Sequence, residues 1–157
     1  MGTHVQGNLA RRRRGDVCVD TELPATASGK SDVAATIRQY NDDFNKGDAK
    51  SAAALCTEHT FIIDDFSPHM WQGATTCQAW SSDLAALEKK SGISNDKVTR
   101  GKAWHVSVTA DRAYAVYPTE YSYKLNGKPV MEKGVWTFAM EKGNAGWRIA
   151  GWAWAQH

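Results

Sequence analysis

At Gly92 the hydrophobic pattern of this chain changes period, and no other feature limits its fold as much. Before Gly92 the apolar residues recur every three or four positions; after it they alternate. Val33, Ile37, Tyr40 and Phe44 predict an amphipathic helix capped by Ser31 or Asp32. Gly47 suits its C-terminal cap, and Asp48 can cap a short second helix through Leu55 and Cys56. Thr60 to Ile63 reads as a short strand ending at Asp64-Asp65, and residues 66–73 read as a loop. Residues 74–90 are again helical, with Cys77, Trp80, Leu84 and Leu87 on one stripe. Strands are expected near 97–109, 112–125, 128–140 and 146–155. Their turns are Ala110-Asp111, Asn126-Gly127 and Gly143-Asn144, of which Asn-Gly is the strongest hairpin signal. Helices followed by a long meander predict an α+β fold, a cone-shaped curved antiparallel sheet wrapped on three N-terminal helices.

A chain of 157 residues predicts one domain. We place that domain at residues 31–157, behind a flexible tail or leader at 1–30. The formal charge of +2 belongs to the tail, because residues 31–157 hold 14 basic and 14 acidic side chains. The body therefore offers no excess positive charge to a phosphate backbone, and no nucleic-acid partner is expected. No apolar run reaches the ~18 residues of a membrane span. Arg11 to Arg14 is followed by Gly15-Asp16-Val17-Cys18-Val19-Asp20, too polar for a signal peptide, so the tail reads as a leader or expression remnant. Contact of its four arginines with nucleic acid or membrane is the alternative. The histidines are isolated and no C-x-x-C occurs, so neither a metal nor a cofactor is expected. Cys56 and Cys77 are either two buried thiols or a bridge worth roughly 3 kcal/mol. A bridge would point to an oxidising compartment such as a periplasm, and free thiols to the cytoplasm.

Five of the seven tryptophans fall after Gly92. Strand alternation puts Arg148, Ala150, Trp152 and Trp154 on one face of the last strand, with Trp147, Ile149 and Ala153 on the other. On the strand before it, Trp136, Phe138 and Met140 lie opposite Val135, Thr137 and Ala139. Such rings either fill a core or wall a pocket for a flat apolar ligand. The pocket reading assigns Trp136, Trp152, Trp154, Phe44 and Trp80 to substrate binding, together with His69 and Trp71 in the loop between the first strand and the third helix. Two polar residues continue apolar stripes. Asp64, beside apolar walls, would have a raised pKa and serve as a general base, and Tyr40 could donate to a developing oxyanion.

The segments Ile37-Arg38-Gln39-Tyr40, Phe44-Asn45-Lys46-Gly47-Asp48, Asp64-Asp65 and Gly146-Trp147-Arg148-Ile149 resemble the nuclear transport factor 2-like superfamily. That superfamily includes ketosteroid isomerases, polyketide cyclases and scytalone dehydratase. The resemblance covers residues 31–157 and implies a cystatin-like, nuclear transport factor 2-like fold. Residue by residue, the isomerase pattern implies Tyr40 as oxyanion-hole tyrosine and Asp64 as base. Trp136 stands where those isomerases have a protonated aspartate, a departure that tells against steroid isomerisation. Ala150, Trp152 and Trp154 would line a pocket too narrow for a steroid, and Asp65 is the second choice as base. The expected function is a pocket for a small hydrophobic molecule with cofactor-free proton transfer, isomerase- or lyase-like. The alternatives are a non-catalytic ligand-binding or assembly module, and an adaptor for another protein. A homodimer is expected, with Tyr117, Tyr121 and Tyr123 against Tyr114 on the outer face of the sheet.

Overall fold

The computed structural model describes residues 23–157. Helices α1 (Leu23–Asn45), α2 (Ala49–Ala54) and α3 (Thr76–Ser91) cover one face of a seven-stranded, curved and unclosed sheet. Its strands are β1 (Cys56–Ile63), β2 (Met70–Gln72), β3 (Ile93–Arg100), β4 (His105–Thr109), β5 (Arg112–Leu125), β6 (Lys128–Gly143) and β7 (Gly146–Gln156). They run in the order β2-β1-β7-β6-β5-β3, with β4 also on β5. Only β1 on β7 is parallel; the other pairs are antiparallel. The fold is thus the expected α+β arrangement, three helices followed by a meander.

The Asn126-Gly127 turn sets the register. Both residues take left-handed backbone (φ 50° and 83°), so Leu125 pairs Lys128, Tyr121 pairs Glu132 and Tyr117 pairs Trp136. Gly92 closes α3 with φ 75°. A Cβ there would also collide with the Asn126 side chain, whose backbone N–H donates to the Gly92 carbonyl (2.9 Å).

Six expectations are corrected. Helix α1 starts at Leu23, not at residue 31 or 32. Its Gly29 lies against β4, where a Cβ would meet Val108 Cγ1 at 3.3 Å, so packing overrides the loop-like composition. The strand expected at 97–109 is broken between β3 and β4, opposite Pro118 of β5, which has no N–H for the ladder. The chain turns past it through Gly101 N–H to Pro118 O and Trp104 N–H to Val116 O (both 2.9 Å). The third correction concerns β7. Its pairing with β6 jumps from Ala139–Gly151 to Met140–Ile149, so Ala150 forms a bulge. The bulge resets the alternation, and Trp147 and Ile149 face the helices together with Trp152 and Trp154. Fourth, Tyr117 is buried in the core, and Tyr121 and Tyr123 also turn inward; of the four tyrosines proposed for an outer contact only Tyr114 faces out. The segment 66–73 additionally contains β2, paired with β1. The last turn comprises Asn144-Ala145, between the paired Gly143 and Gly146.

The core lies between α1 and the sheet, around Val33, Ile37, Tyr40, Ile62, Phe138, Met140 and Ile149. Cys56, at the start of β1, and Cys77, in the first turn of α3, form a disulfide. Cys18 and the arginine run lie outside the described residues. No described helix is long and apolar enough to cross a membrane.

Candidate functional site

Between α3, the C-terminal end of β1 and the inner face of β5 to β7 lies a cavity of about 280 Å³. Its depth is aromatic for reasons set by each element. On β6 and β7, Trp136 and Trp154 pair across the strands, as do Phe138 and Trp152, so the alternate inward positions are rings. Trp80 comes from the buried stripe of α3. It stands edge-on to Trp152 (4.9 Å, 89°), which in turn stands edge-on to Trp136 (5.6 Å, 89°). Gly134 is needed beneath Trp154, because any Cβ there would run into the indole. Leu84, Leu87, Ile93 and Val98 complete an apolar side.

Asp64 lies on this wall. It is the first residue after β1, two beyond the fully buried Ile62, and its carboxylate lines the cavity. Burial pushes its pKa up to about 6, against the opposing donors Trp80 Nε1 (2.9 Å) and Asp65 N–H (2.8 Å). Those donors fix the carboxylate's orientation without supplying a countercharge. Asp65 also reaches the cavity rim, although alternation predicts the opposite face; β1 ends at Ile63 and the alternation with it.

Four indole N–H groups are used inside the protein. Trp80 donates to Asp64, Trp152 to the Tyr40 hydroxyl (3.1 Å), Trp154 to Thr119 Oγ1 (3.0 Å) and Trp71 to Asp83 Oδ2 (2.8 Å). Trp147, outside the cavity wall, has no partner for Nε1. Trp136 is different in place: it lines the cavity, is 3% exposed, and its Nε1 also has no partner. Such a group costs about 1–3 kcal/mol unless something accepts from it.

Tyr40 stands one layer back. It is 1% exposed, packs its ring on Trp136 (5.8 Å) and Phe138 (6.4 Å), and borders a smaller cavity of about 180 Å³ among the helices. Burial raises its pKa strongly; the Trp152 N–H opposes this and the Asp64 charge adds to it. Of the residues expected at the site, the structure brings together on the larger cavity Asp64, Phe44, Trp80, Trp136, Trp152 and Trp154. It does not bring His69 or Trp71 to the wall. His69 is exposed, with Nδ1 3.3 Å from the Asp64 carbonyl oxygen, and Trp71 packs behind Phe66 (4.9 Å), which is on the wall.

Sequence reasoning missed Phe66, Tyr121, Tyr123 and Glu132 as lining residues. The Asn-Gly turn held the signal for three of them. Counting from Leu125–Lys128 places Tyr121 opposite Glu132, four residues from Trp136 and on its face. The Tyr123 hydroxyl donates to Glu132 Oε1 (2.7 Å), and this bond raises the tyrosine's pKa to about 12. Among the described residues no three of His, Cys, Asp or Glu converge as a metal would require.

No family model matches the chain, and no curated protein matches it in sequence. Solved structures do match in shape. An NTF2-like protein with a cystatin-like fold from Novosphingobium aromaticivorans is 18% identical over 89% of this chain and 91% of that one (TM-score 0.70). A ketosteroid isomerase-like protein from Erwinia carotovora atroseptica is 16% identical over 87% and 97% (TM-score 0.65). An NTF2-like superfamily protein from Salmonella enterica is 16% identical over 83% and 92% (TM-score 0.69). Identities this low speak to fold alone.

Proposed function

We propose that this chain, which has the nuclear transport factor 2-like fold, binds a small hydrophobic, carbonyl-bearing molecule and moves a proton on it. The observation that carries the reading is Asp64: the most desolvated of the carboxylates on an aromatic cavity, raised to a pKa of about 6 and oriented by the Trp80 indole. At neutral pH it is ionised and basic enough to take a proton from the carbon beside a carbonyl. Charge then develops on the carbonyl oxygen, and in this reading its donor is Trp136, a lining residue whose buried N–H has no other partner. The proton returns from Asp64 to another carbon, giving an isomerisation. Tyr40 is a positioning residue in this reading, holding Trp152 through its hydroxyl. The likeness in shape to a ketosteroid isomerase-like protein supports the class of chemistry by analogy only.

The test is titration of the Asp64 carboxyl carbon by NMR, with Asp64→Asn assigning the signal. A midpoint near 6 is expected. A midpoint at or below the ordinary ~3.9 would remove the base and leave a binding module. A homodimer belongs to the same proposal. Tyr114 (46% exposed) and Met131 (61%) lie on the outward face of β5 and β6, and light scattering checks the mass.

A further inference from the structure

The proposed pocket carries a charge pattern that a neutral ligand leaves unanswered. Three carboxylates line it, Asp64, Asp65 and Glu132, and no lysine, arginine or histidine does. None of the three has an ion-pair partner among the described residues, where the salt bridges are those of Arg112 with Asp111 and Glu141. This is local, because basic and acidic side chains balance over residues 31–157.

The carboxylates are also placed unequally. Asp64 is deep, against Trp80. Asp65 and Glu132 line the cavity with Tyr123: Glu132 accepts from its hydroxyl, and the Asp65 charge adds a smaller effect in holding that proton on. Tyr121 and Tyr123 pack together there (5.0 Å), with Trp154 beside them on the wall. Aromatic faces attract cations, most strongly where water is excluded.

We infer that the pocket takes an apolar ligand bearing a cationic nitrogen. The cation sits beside Asp65, Glu132 and the tyrosine faces, and the apolar part of the ligand lies among the tryptophans of the wall. This rests on the pocket reading above and adds the ligand's charge. An anionic ligand would meet three like charges, and a neutral one would leave them uncompensated.

The test compares two probes of one shape by quenching of tryptophan fluorescence: benzyltrimethylammonium and its uncharged carbon isostere, neopentylbenzene. The cation is expected to bind at least about tenfold tighter, and Asp65→Asn with Glu132→Gln to shrink that preference to about threefold or less. Equal binding of both probes, or tighter binding of the neutral one, overturns the cationic ligand and leaves the hydrophobic pocket standing. Binding of neither overturns both.

Discussion

Asp64 and Glu88 are two carboxylates whose pKa values burial raises, to about 6 and about 7, yet their surroundings differ in kind. Asp64 meets donors first: the Trp80 indole and the Asp65 backbone favour its charged form, and the Asp65 carboxylate opposes them less strongly. Glu88, on α3, meets a second acid. A bulge in β3 between Ser94 and Lys97, with Asn95 at φ 54°, brings Asp96 against it, and repulsion adds to desolvation. The Tyr121 hydroxyl answers Glu88 only from 3.5 Å. One shift therefore describes an oriented carboxylate beside a cavity, and the other a glutamate raised by burial and by a neighbouring acid between helix and sheet. The first geometry suits a base.

The largest expected effect comes from breaking the frame around Asp64. The Cys56–Cys77 bridge ties β1, which carries Asp64, to α3, which carries Trp80. Replacing both cysteines by serine should cost about 3 kcal/mol in urea unfolding, by the loop it frees. It should also let water reach Asp64 and lower its pKa, while Glu88, further along α3, moves less.

Next in size is the pH dependence of stability. Both acids are raised in the folded state, so each contributes its full stability below its unfolded pKa and loses it as pH rises through the folded value. The windows run from ~4 to about 6 for Asp64 and from ~4.5 to about 7 for Glu88. A shift of about two units corresponds to roughly 3 kcal/mol, less about 1 kcal/mol for the altered bond to Trp80. Asp64→Asn should therefore stabilise the protein by about 2 kcal/mol at pH 8 and by little at pH 3. Glu88→Gln should flatten the upper window instead. Identical pH profiles for the two variants would erase the contrast.

Trp80→Phe removes the donor and keeps much of the ring. It should cost about 1 kcal/mol and raise the Asp64 midpoint further above 6. A fall in that midpoint would mean solvation, and would count against a dry cavity. The smallest effect belongs to Tyr121→Phe. Its 3.5 Å bond is too long to hold Glu88, so stability should stay within about 0.5 kcal/mol and the Glu88 midpoint should barely move.

Much of the site could be read because it rests on short-range regularities. The α1 stripe pointed to Phe44, the α3 stripe to Trp80, and strand alternation to Trp136. Tyr121, Tyr123 and Glu132 were equally legible through the Asn126-Gly127 register, once that register was counted out. Asp65 was not, because alternation ends with β1 and the loop closes by its own bond, Asp64 N–H to the His69 carbonyl (3.1 Å). Nor was the resetting of β7. Ala150 bulges because β1 lies parallel on its other edge. There Thr60 Oγ1 donates to the Ile149 carbonyl (2.8 Å), and Gly151 passes so close to Phe61 that a Cβ would meet its carbonyl oxygen at 2.9 Å.

By itself, then, the sequence determined the order of helices and strands, the hairpin register and the side chains able to do chemistry. These depend on neighbours within a turn or a strand. Only the tertiary structure decided that Tyr40 stands behind the wall, that Trp136 keeps a free N–H, and that Cys56 meets Cys77. It also decided that Asp64 is desolvated. Desolvation is a property of everything within reach, and the groups within reach of Asp64 come from α1, α3 and the last three strands.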